Sequence, residues 1–246
     1  MNTTHLKTVT SDDLGELTLL VGDPARVALI SQNWEQTRIV SQNRELTLVS
    51  GLWKGKRVSI CSTGMGVGST EIAVIELIQS GAKQFVRLGG CGAWSNDIQA
   101  GDLMFNHGMV RDKGMLANYA PDTYPATADP ILLAKLTEKA IKEGFTSHVG
   151  LGMTTQSYYL GQGRDPQLSN GPKVDSAFMS YWQERHVLNC DMETAVLYLL
   201  ASLYQIPAAN CLVVHLSRMN LEKIEDTDYE ILHQNAAELV LTACLT

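Results

Sequence analysis

The chain has 246 residues, of which 45% are hydrophobic, and its formal net charge is -7 at neutral pH. This length and apolar content favour one large α/β domain with a sizeable core, while the acidic balance argues against a general surface for nucleic acid or anionic membranes. The five cysteines lack a CxxC pair, the first residues lack an apolar signal core, and no apolar run approaches the roughly 18 residues of a membrane helix, so we expect a soluble, cytoplasmic protein.

Apolar runs and turn residues predict alternating strands and helices in the first half of the chain. In order, we expect a strand over 17–21, a helix over 24–33, a hairpin of strands over 46–50 and 57–62, a helix over 69–80 and a strand over 84–88. Asp23 is the expected N-cap of the first helix, with Pro24 in its first turn, and Gly81 is the expected end of the second helix.

The second half continues the alternation after a long polar segment that contains Pro121 and Pro125. In order, we expect a strand near 102–105, a helix over 129–143, a strand over 148–160, a helix over 176–185, a strand over 187–190, a helix over 192–204, a strand over 208–216 and a helix over 227–244. Such alternation predicts an α/β fold with a mixed, mostly parallel sheet, helices on both faces and ligands at the carboxyl ends of the strands.

Three stretches at strand ends indicate an anion site. QFVRLGGCGAW (84–94) places Arg87 on an apolar strand and has three glycines within four residues after it. A buried cation must be paired, and glycines just past a strand end let a ligand approach the backbone. VGDPARV (21–27) and CSTGMGVGST (61–70) each run from a strand through a glycine turn into a helix, whose free N–H groups suit phosphate.

Common catalytic motifs are absent from the sequence. It contains no ATP loop GxxxxGK[ST], no HExxH and no GxSxG, so metal hydrolysis and serine catalysis are unsupported. GQGR (161–164) could present the amide of Gln162 beside the guanidinium of Arg164, although an ordinary loop fits equally well. NCDMETA (189–195) places Asp191 and Glu193 where they could cap a helix or accept hydrogen bonds from sugar hydroxyls.

Together these motifs resemble those of the nucleoside phosphorylase-I family. GDPAR, STGMG, RLGGCGA and CDMETA match its GDPxR, STGxG, RxGxxGA and EMExA-like motifs, and the resemblance extends from His5 to the last helix. GQGR matches the Gln-x-Arg insertion of the branch that acts on uridine. The resemblance implies one phosphorylase/hydrolase-like domain over 1–246, whose sheet forms a distorted barrel flanked by helices.

The resemblance also implies a role for each motif residue, although a solvated surface arginine is the simpler interpretation of Arg26 or Arg44 alone. Phosphate would bind to Gly22, Arg26, Arg87 and Gly90, with Arg44 reaching across from a neighbouring subunit. Ribose would bind to Met192 and Glu193, with His5 supplied by the same neighbour. The base would contact Cys91, Gly92, Tyr158, Gln162, Arg164, Asp191 and Arg218. Catalysis would rest on Arg87, Gln162, Arg164 and Glu193.

The implied reaction is the reversible phosphorolysis of uridine, with inorganic phosphate as co-substrate and no organic cofactor. Nucleoside and phosphate are the implied partners, rather than nucleic acid or a membrane. A structural potassium ion is implied at a dimer interface, on Glu45, Ser69 and the Met65 carbonyl. Because Arg44 and His5 would complete a neighbour's site, we expect a homo-oligomer built from dimers, three of which form a hexamer.

Several positions depart from the family pattern and leave alternatives open. Gly90 stands where the uridine branch carries a threonine, and GCGA (90–93) is closer to the SCGA of purine enzymes. Asp191 replaces a glutamate and Tyr158 a phenylalanine. HLSR (215–218) lacks the aspartate that purine enzymes use, which favours a pyrimidine base. The alternatives are a purine or broad-specificity phosphorylase, a hydrolytic nucleosidase and a catalytically silent nucleoside-binding protein.

Overall fold

The computed structural model describes residues 3–246, which form one α/β domain. Its strands are β1 (Leu17–Val21), β2 (Glu35–Asn43), β3 (Leu46–Trp53), β4 (Lys56–Ser62), β5 (Phe85–Ala93), β6 (Leu103–Arg111), β7 (Ala126–Thr127), β8 (Ser147–Thr154), β9 (Val187–Asp191) and β10 (Ala208–Ser217). Its helices are α1 (Ser11–Leu14), α2 (Pro24–Ser31), α3 (Val67–Gln79), α4 (Pro130–Lys142), α5 (Phe178–Gln183), α6 (Thr194–Leu203) and α7 (Asp226–Leu245), with a 3₁₀ turn at Leu160–Gln162.

All the strands belong to one mixed sheet, part of which closes into a barrel. Strands β5, β10, β6, β8 and β9 pair in a ring, and β1, β4, β3 and β2 extend the sheet outward from β5. The pairings of β5 with β1 and with β10 are parallel, whereas its pairing with β9 is antiparallel. The predicted α/β class with a mixed, barrel-like sheet flanked by helices is confirmed.

Strand β5 lies at the junction of the barrel and the outer sheet, and it is longer than predicted. Gly89 and Gly90 lie inside β5, opposite Leu212 and Val213 of β10, and not beyond the strand end as expected. The ladder continues because β10 on one side and β9 on the other supply partners along the glycine-rich part. A Cβ on Gly89 would lie 2.8 Å from Nη2 of Arg87, so the glycine leaves room for that guanidinium.

The core combines apolar helices with a buried polar network in the barrel. Helix α6 is buried from Thr194 to Ala201 and packs against α3, while α4 packs against α7. Inside the barrel, Asn106 donates to Asn189 Oδ1 (2.7 Å) and accepts from Asn210 Nδ2 (2.8 Å). Because buried amides cost free energy unless they are paired, these three residues fix the register of β6, β9 and β10.

Some elements differ from the sequence-based expectations. The nine-residue strand β2 was not predicted, because its side chains are mostly exposed and show no apolar alternation; it is ordered by pairing with β3. The short elements α1 and β7 were also missed. Strand β8 ends at Thr154 instead of continuing to residue 160, since the chain turns there into the loop that contains Gln162. Within residues 3–246, every helix is too short or too polar to cross a bilayer.

Candidate active site

A cleft of about 1010 Å³ opens at the carboxyl ends of β1, β5, β9 and β10, where the alternating pattern predicted a ligand site. Most of the residues implied by the family resemblance line it. They are Gly22, Arg26, Glu45, Met65, Arg87, Gly90, Cys91, Gly92, Tyr158, Gln162, Arg164, Asp191, Met192 and Glu193. The fold therefore brings into one cleft residues that are up to about 170 positions apart along the chain.

Arg87 is a buried cation in the lining of the cleft. Its Nε donates to Asp191 Oδ2 at 3.2 Å and its Nη2 donates to Glu193 Oε2 at 2.5 Å. The side chains of Arg87, Asp191 and Glu193 are only 5%, 1% and 8% exposed. Among residues 3–246, the buried Nη1 of Arg87 has no hydrogen-bond partner, so it remains available to an anion.

Burial and charge oppose each other in this ion cluster. Burial alone would lower the pKa of Arg87, but Glu193 and Asp191 outweigh it and raise that pKa above its ordinary value. Burial raises the pKa of Glu193, an effect that the Arg87 charge opposes. Arg87 is therefore a permanent cation, and its pairing with Glu193 keeps a carboxylate at the cleft wall.

The glycine turn before α3 serves Glu193. The N–H of Gly66 donates to Glu193 Oε1 at 2.7 Å. The sequence suggested this turn as a third phosphate contact, but its N–H already binds a carboxylate of the chain itself. Glu193 keeps further lone pairs on both oxygens, because a carboxylate can accept about four hydrogen bonds. It can therefore accept hydrogen bonds from sugar hydroxyls while it holds Arg87 and Gly66.

Asp191 is tied to the protein more fully than Glu193. It accepts from Thr154 Oγ1 at 2.6 Å, from the Thr194 N–H at 3.0 Å and from Arg87 Nε. These contacts fix its carboxylate and, through it, the orientation of the Arg87 guanidinium. A contact between Asp191 and a base, which the resemblance implies, stays a prediction.

The second cation of the cleft is Arg26. It lies on the first turn of α2, where Asp23 Oδ1 accepts from the Ala25 N–H at 2.9 Å as the predicted N-cap. Arg26 and Arg87 thus line one cleft, together with Gly22 and Gly90. Two guanidinium groups beside glycine backbone form a place where a phosphate dianion can be bound from several sides.

The loop after β8 supplies a further part of the cleft lining. Gln162 is buried, and its Oε1 accepts from Arg164 Nε at 3.3 Å. The guanidinium carbon of Arg164 lies 4.5 Å from the ring centre of Tyr158. Cation–π stacking and the amide contact hold Arg164 flat, and its outer nitrogens can donate to a planar ligand.

Arg218 contacts the backbone of this loop and is not part of the cleft lining. Its Nη1 donates to the carbonyl of Gln162 at 3.0 Å and its Nη2 donates to the carbonyl of Gly163 at 2.9 Å. The structure therefore places Arg218 as a positioning residue for the loop, and the contact with the base that the resemblance implies for it stays a prediction.

Two residues that were expected to serve a neighbouring subunit lie outside the cleft of their own chain. His5 Nδ1 lies 2.9 Å from Glu76 Oε1, and the Glu76 carboxylate also accepts from the backbone N–H groups of Thr4, His5 and Leu6. Arg44 is exposed in the turn between β2 and β3, with a φ of +54°. Their contribution to a partner's site stays a prediction.

Two of the residues implied for potassium, Ser69 and Glu45, lie in contact. Ser69 Oγ donates to Glu45 Oε1 at 2.5 Å, so a hydroxyl and a carboxylate lie together. Gly64 has a φ of +68°, and a Cβ there would collide with both side chains. These oxygen ligands are of the type that hard cations prefer, and Met65 follows directly in the same turn. The potassium site stays a prediction that these residues fit.

Sequence reasoning missed several residues of the cleft: Cys190, His215, Lys223 and Tyr229. His215 and Tyr229 were unremarkable parts of a predicted strand and a predicted helix. No spacing or motif connects Tyr229 with Gly90 or Arg26, because the contact arises only when α7 folds over β5. Cys190 adjoins the recognised carboxylates and could have been found by that proximity.

The chain thus combines a mixed sheet, closed in part into a five-strand barrel, with a cleft lined by arginines and buried carboxylates. The chain belongs to the phosphorylase superfamily, whose family model matches residues 16–245. The resemblance inferred from the motifs is thereby confirmed.

The similar proteins carry different base specificities in their names. The chain is 37% identical to uridine phosphorylase of Thermococcus kodakarensis over 210 residues. The aligned region covers 85% of this chain and 76% of that protein. The chain is 36% identical over 192 residues to uridine phosphorylase of Escherichia coli, covering 77% and 76%. It is also 35% identical over 205 residues to a DeoD-type purine nucleoside phosphorylase of Caldanaerobacter subterraneus, covering 82% and 83%.

Proposed function

We propose that this enzyme is a nucleoside phosphorylase that converts uridine and inorganic phosphate reversibly into uracil and ribose 1-phosphate. The observation that carries the proposal is the lining of one cleft. It combines the cations Arg26 and Arg87 with the Glu193 carboxylate and with the paired side chains of Gln162 and Arg164. The uridine phosphorylases among the similar proteins support the same base.

The proposed reaction needs no side-chain nucleophile. An oxygen of hydrogen phosphate attacks C1′ of the ribose from the face opposite the base, and the C1′–N1 bond breaks. The uracil anion takes up one proton, which balances the proton that the phosphate loses on forming the ester. Cleavage of such a bond develops oxocarbenium character at the sugar. Phosphate held by Arg26 and Arg87 places negative charge beneath that cation, and Glu193 would orient the sugar through its hydroxyls.

The departing uracil gains negative charge on its carbonyl oxygens. The Oε1 of Gln162 accepts from Arg164, which leaves the Gln162 NH₂ group as a donor beside the Arg164 guanidinium. Donors that are already oriented stabilise a developing anion without reorganisation. Removing the Arg164 guanidinium by Arg164→Ala should therefore lower uridine turnover roughly 100-fold or more. An unchanged rate would exclude the role of Arg164 in uracil recognition; Arg185→Ala, on the exposed surface, is the matched control.

A purine nucleoside phosphorylase is the second candidate, favoured by Gly90 in the GCGA motif and by the similarity to a purine nucleoside phosphorylase. Uridine, thymidine, inosine and adenosine should be assayed side by side, each with and without phosphate. The proposal requires that uridine be cleaved fastest and only with phosphate. Faster cleavage of inosine or adenosine would establish the second candidate, and equal rates without phosphate would establish a hydrolase.

The proposal includes a shared site. Arg44 and His5 lie outside the cleft of their own chain, so a neighbour would have to supply them, and the functional unit would be a dimer within a hexamer. Light scattering combined with activity measurements across a dilution series tests this. An active monomer would contradict it.

A further inference from the structure

The hydroxyl of Tyr229 lies where a side chain at position 90 would begin. An ideal Cβ built on Gly90 would lie 1.8 Å from the hydroxyl oxygen of Tyr229 and 3.1 Å from its Cζ. Contacts of a Cβ below about 3.0 Å essentially do not occur, so no side chain fits at position 90 while Tyr229 keeps this conformation. The tyrosine hydroxyl thus takes the position at the cleft wall that a side chain from β5 would otherwise fill.

The ring of Tyr229 is fixed on several sides. It stacks on His215 with the ring centres 4.4 Å apart and 23° between the planes, and it meets His233 edge to face, also at 4.4 Å. The guanidinium carbon of Arg26 lies 5.5 Å from its ring centre. A ring held in this way has little rotamer freedom left to lose when a ligand binds to its hydroxyl.

The surroundings of the Tyr229 hydroxyl suit an anion. Tyr229, Arg26, Arg87 and Gly90 all line the cleft, and the buried Nη1 of Arg87 has no partner among the described residues. Burial raises the pKa of Tyr229, although the Arg26 charge opposes it, so the phenol keeps its proton and can donate it. Burial also lowers the pKa of His233, to about 3, so that histidine is neutral and adds no competing charge.

We propose that the Tyr229 hydroxyl, which occupies the space that Gly90 leaves open, donates a hydrogen bond to the phosphate co-substrate. The phosphate would lie between Arg26 and Arg87. Tyr229 is then a binding residue for the tetrahedral oxyanion, contributed by the C-terminal helix α7 instead of by β5. The inference rests on the proposed phosphorolysis, because it assigns a ligand of that same site.

Tyr229→Phe removes only the hydroxyl and keeps the ring between His215 and His233. A hydrogen bond to a charged group corresponds to a factor of about 10 to 100 in affinity. The Kd of inorganic phosphate, measured by calorimetry, and the KM for phosphate should therefore both rise by at least about 10-fold, while the KM for the nucleoside stays within about 2-fold. Tyr204→Phe, an exposed tyrosine outside the cleft, is the matched control and should leave all three constants unchanged.

A double substitution tests directly whether the Tyr229 hydroxyl occupies the position of a side chain at residue 90. Gly90→Thr alone should weaken phosphate binding, because the new side chain meets the Tyr229 hydroxyl. In a Tyr229→Leu background, the same Gly90→Thr change should strengthen phosphate binding relative to Tyr229→Leu alone, since the threonine hydroxyl enters the vacated space. A threonine effect of the same sign in both backgrounds would overturn the inference.

The wild type separates the two levels of the proposal. If the wild type binds phosphate and Tyr229→Phe binds it equally well, the role of Tyr229 is overturned but the proposed function stands. Failure of the wild type to bind phosphate or to need it for turnover would overturn both.

Discussion

Replacing Arg87 with methionine should destabilise the protein as well as inactivate it. The guanidinium of Arg87 is 5% exposed and pairs with Asp191 and Glu193, which are equally buried. Methionine has a similar aliphatic length, so Arg87→Met keeps most of the packing and removes the cation. Two buried carboxylates are then left without their countercharge.

The size of the loss follows from these contacts. Removing one partner of a buried ion pair typically costs about 3–5 kcal/mol. Here the carboxylates retain donors from Gly66, Thr154 and Thr194, so a loss of about 3 kcal/mol in the free energy of unfolding is expected. For a domain of this size, that corresponds to a fall in Tm of roughly 6–12 °C.

Urea and thermal unfolding of the wild type and of Arg87→Met measure this loss, with Arg185→Met on the surface as the control. Adding Glu193→Gln removes one of the unpaired charges and should recover at least about 1 kcal/mol of stability without restoring turnover. Glu193 would also become protonated more readily in Arg87→Met, because burial raises its pKa and the opposing cation is gone. When a carboxyl has a higher pKa in the folded state than in the unfolded state, the protein becomes less stable as the pH rises above the unfolded-state pKa. The stability defect of Arg87→Met should therefore be larger at pH 8 than at pH 5.

Two results would refute this reasoning. One is a stability of Arg87→Met within about 0.5 kcal/mol of the wild type, well below the cost of an uncompensated buried charge. The other is a double variant with Glu193→Gln that is no more stable than Arg87→Met alone. Either would mean that the carboxylates do not depend on Arg87 and that the central ion cluster is assigned wrongly.

Three further predictions concern the supports of the site and the core. Arg218→Met removes both hydrogen bonds to the loop carbonyls, including that of Gln162, and should raise the KM for uridine by about 10-fold while phosphate binding is unchanged, measured by steady-state kinetics and calorimetry. Burial lowers the pKa of His233 from 6.5 to about 3, so the unfolded state binds a proton before the folded state does as the pH falls. Between pH 7 and pH 5, urea titrations should therefore show that the wild type loses about 2 kcal/mol more stability than His233→Leu. Equal losses would contradict this. Thr154→Val removes a donor to Asp191 and should cost about 1–3 kcal/mol in urea unfolding, whereas an unchanged midpoint would contradict the buried contact.

The parts of the fold that the sequence predicted are those marked by local chemistry. Apolar runs predicted β1, β5 and β10 because these strands are buried, and Asp23 with Pro24 predicted the start of α2 through its capping geometry. Arg87 was predicted as a paired, buried cation because an arginine on an apolar strand has no other stable state. The physical cause in each case acts within a few residues.

The parts that it did not predict depend on contacts between distant segments. Strand β2 gains its order from hydrogen bonds to β3, not from buried side chains, and therefore carries no apolar pattern. The Gly66 N–H could not be assigned to Glu193 from the sequence, since 127 positions separate the two residues. The contact between Tyr229 and Gly90 is of the same kind, because it exists only once α7 has packed over the barrel.

The central claim is that this cleft binds phosphate beneath a nucleoside and transfers the ribose to it. The most direct test is the release of uracil from uridine by the purified protein, measured with and without inorganic phosphate, together with the amount of ribose 1-phosphate formed. We predict release only in the presence of phosphate, with one ribose 1-phosphate for each uracil. Equal release without phosphate, or no release from uridine at any phosphate concentration, would contradict the claim.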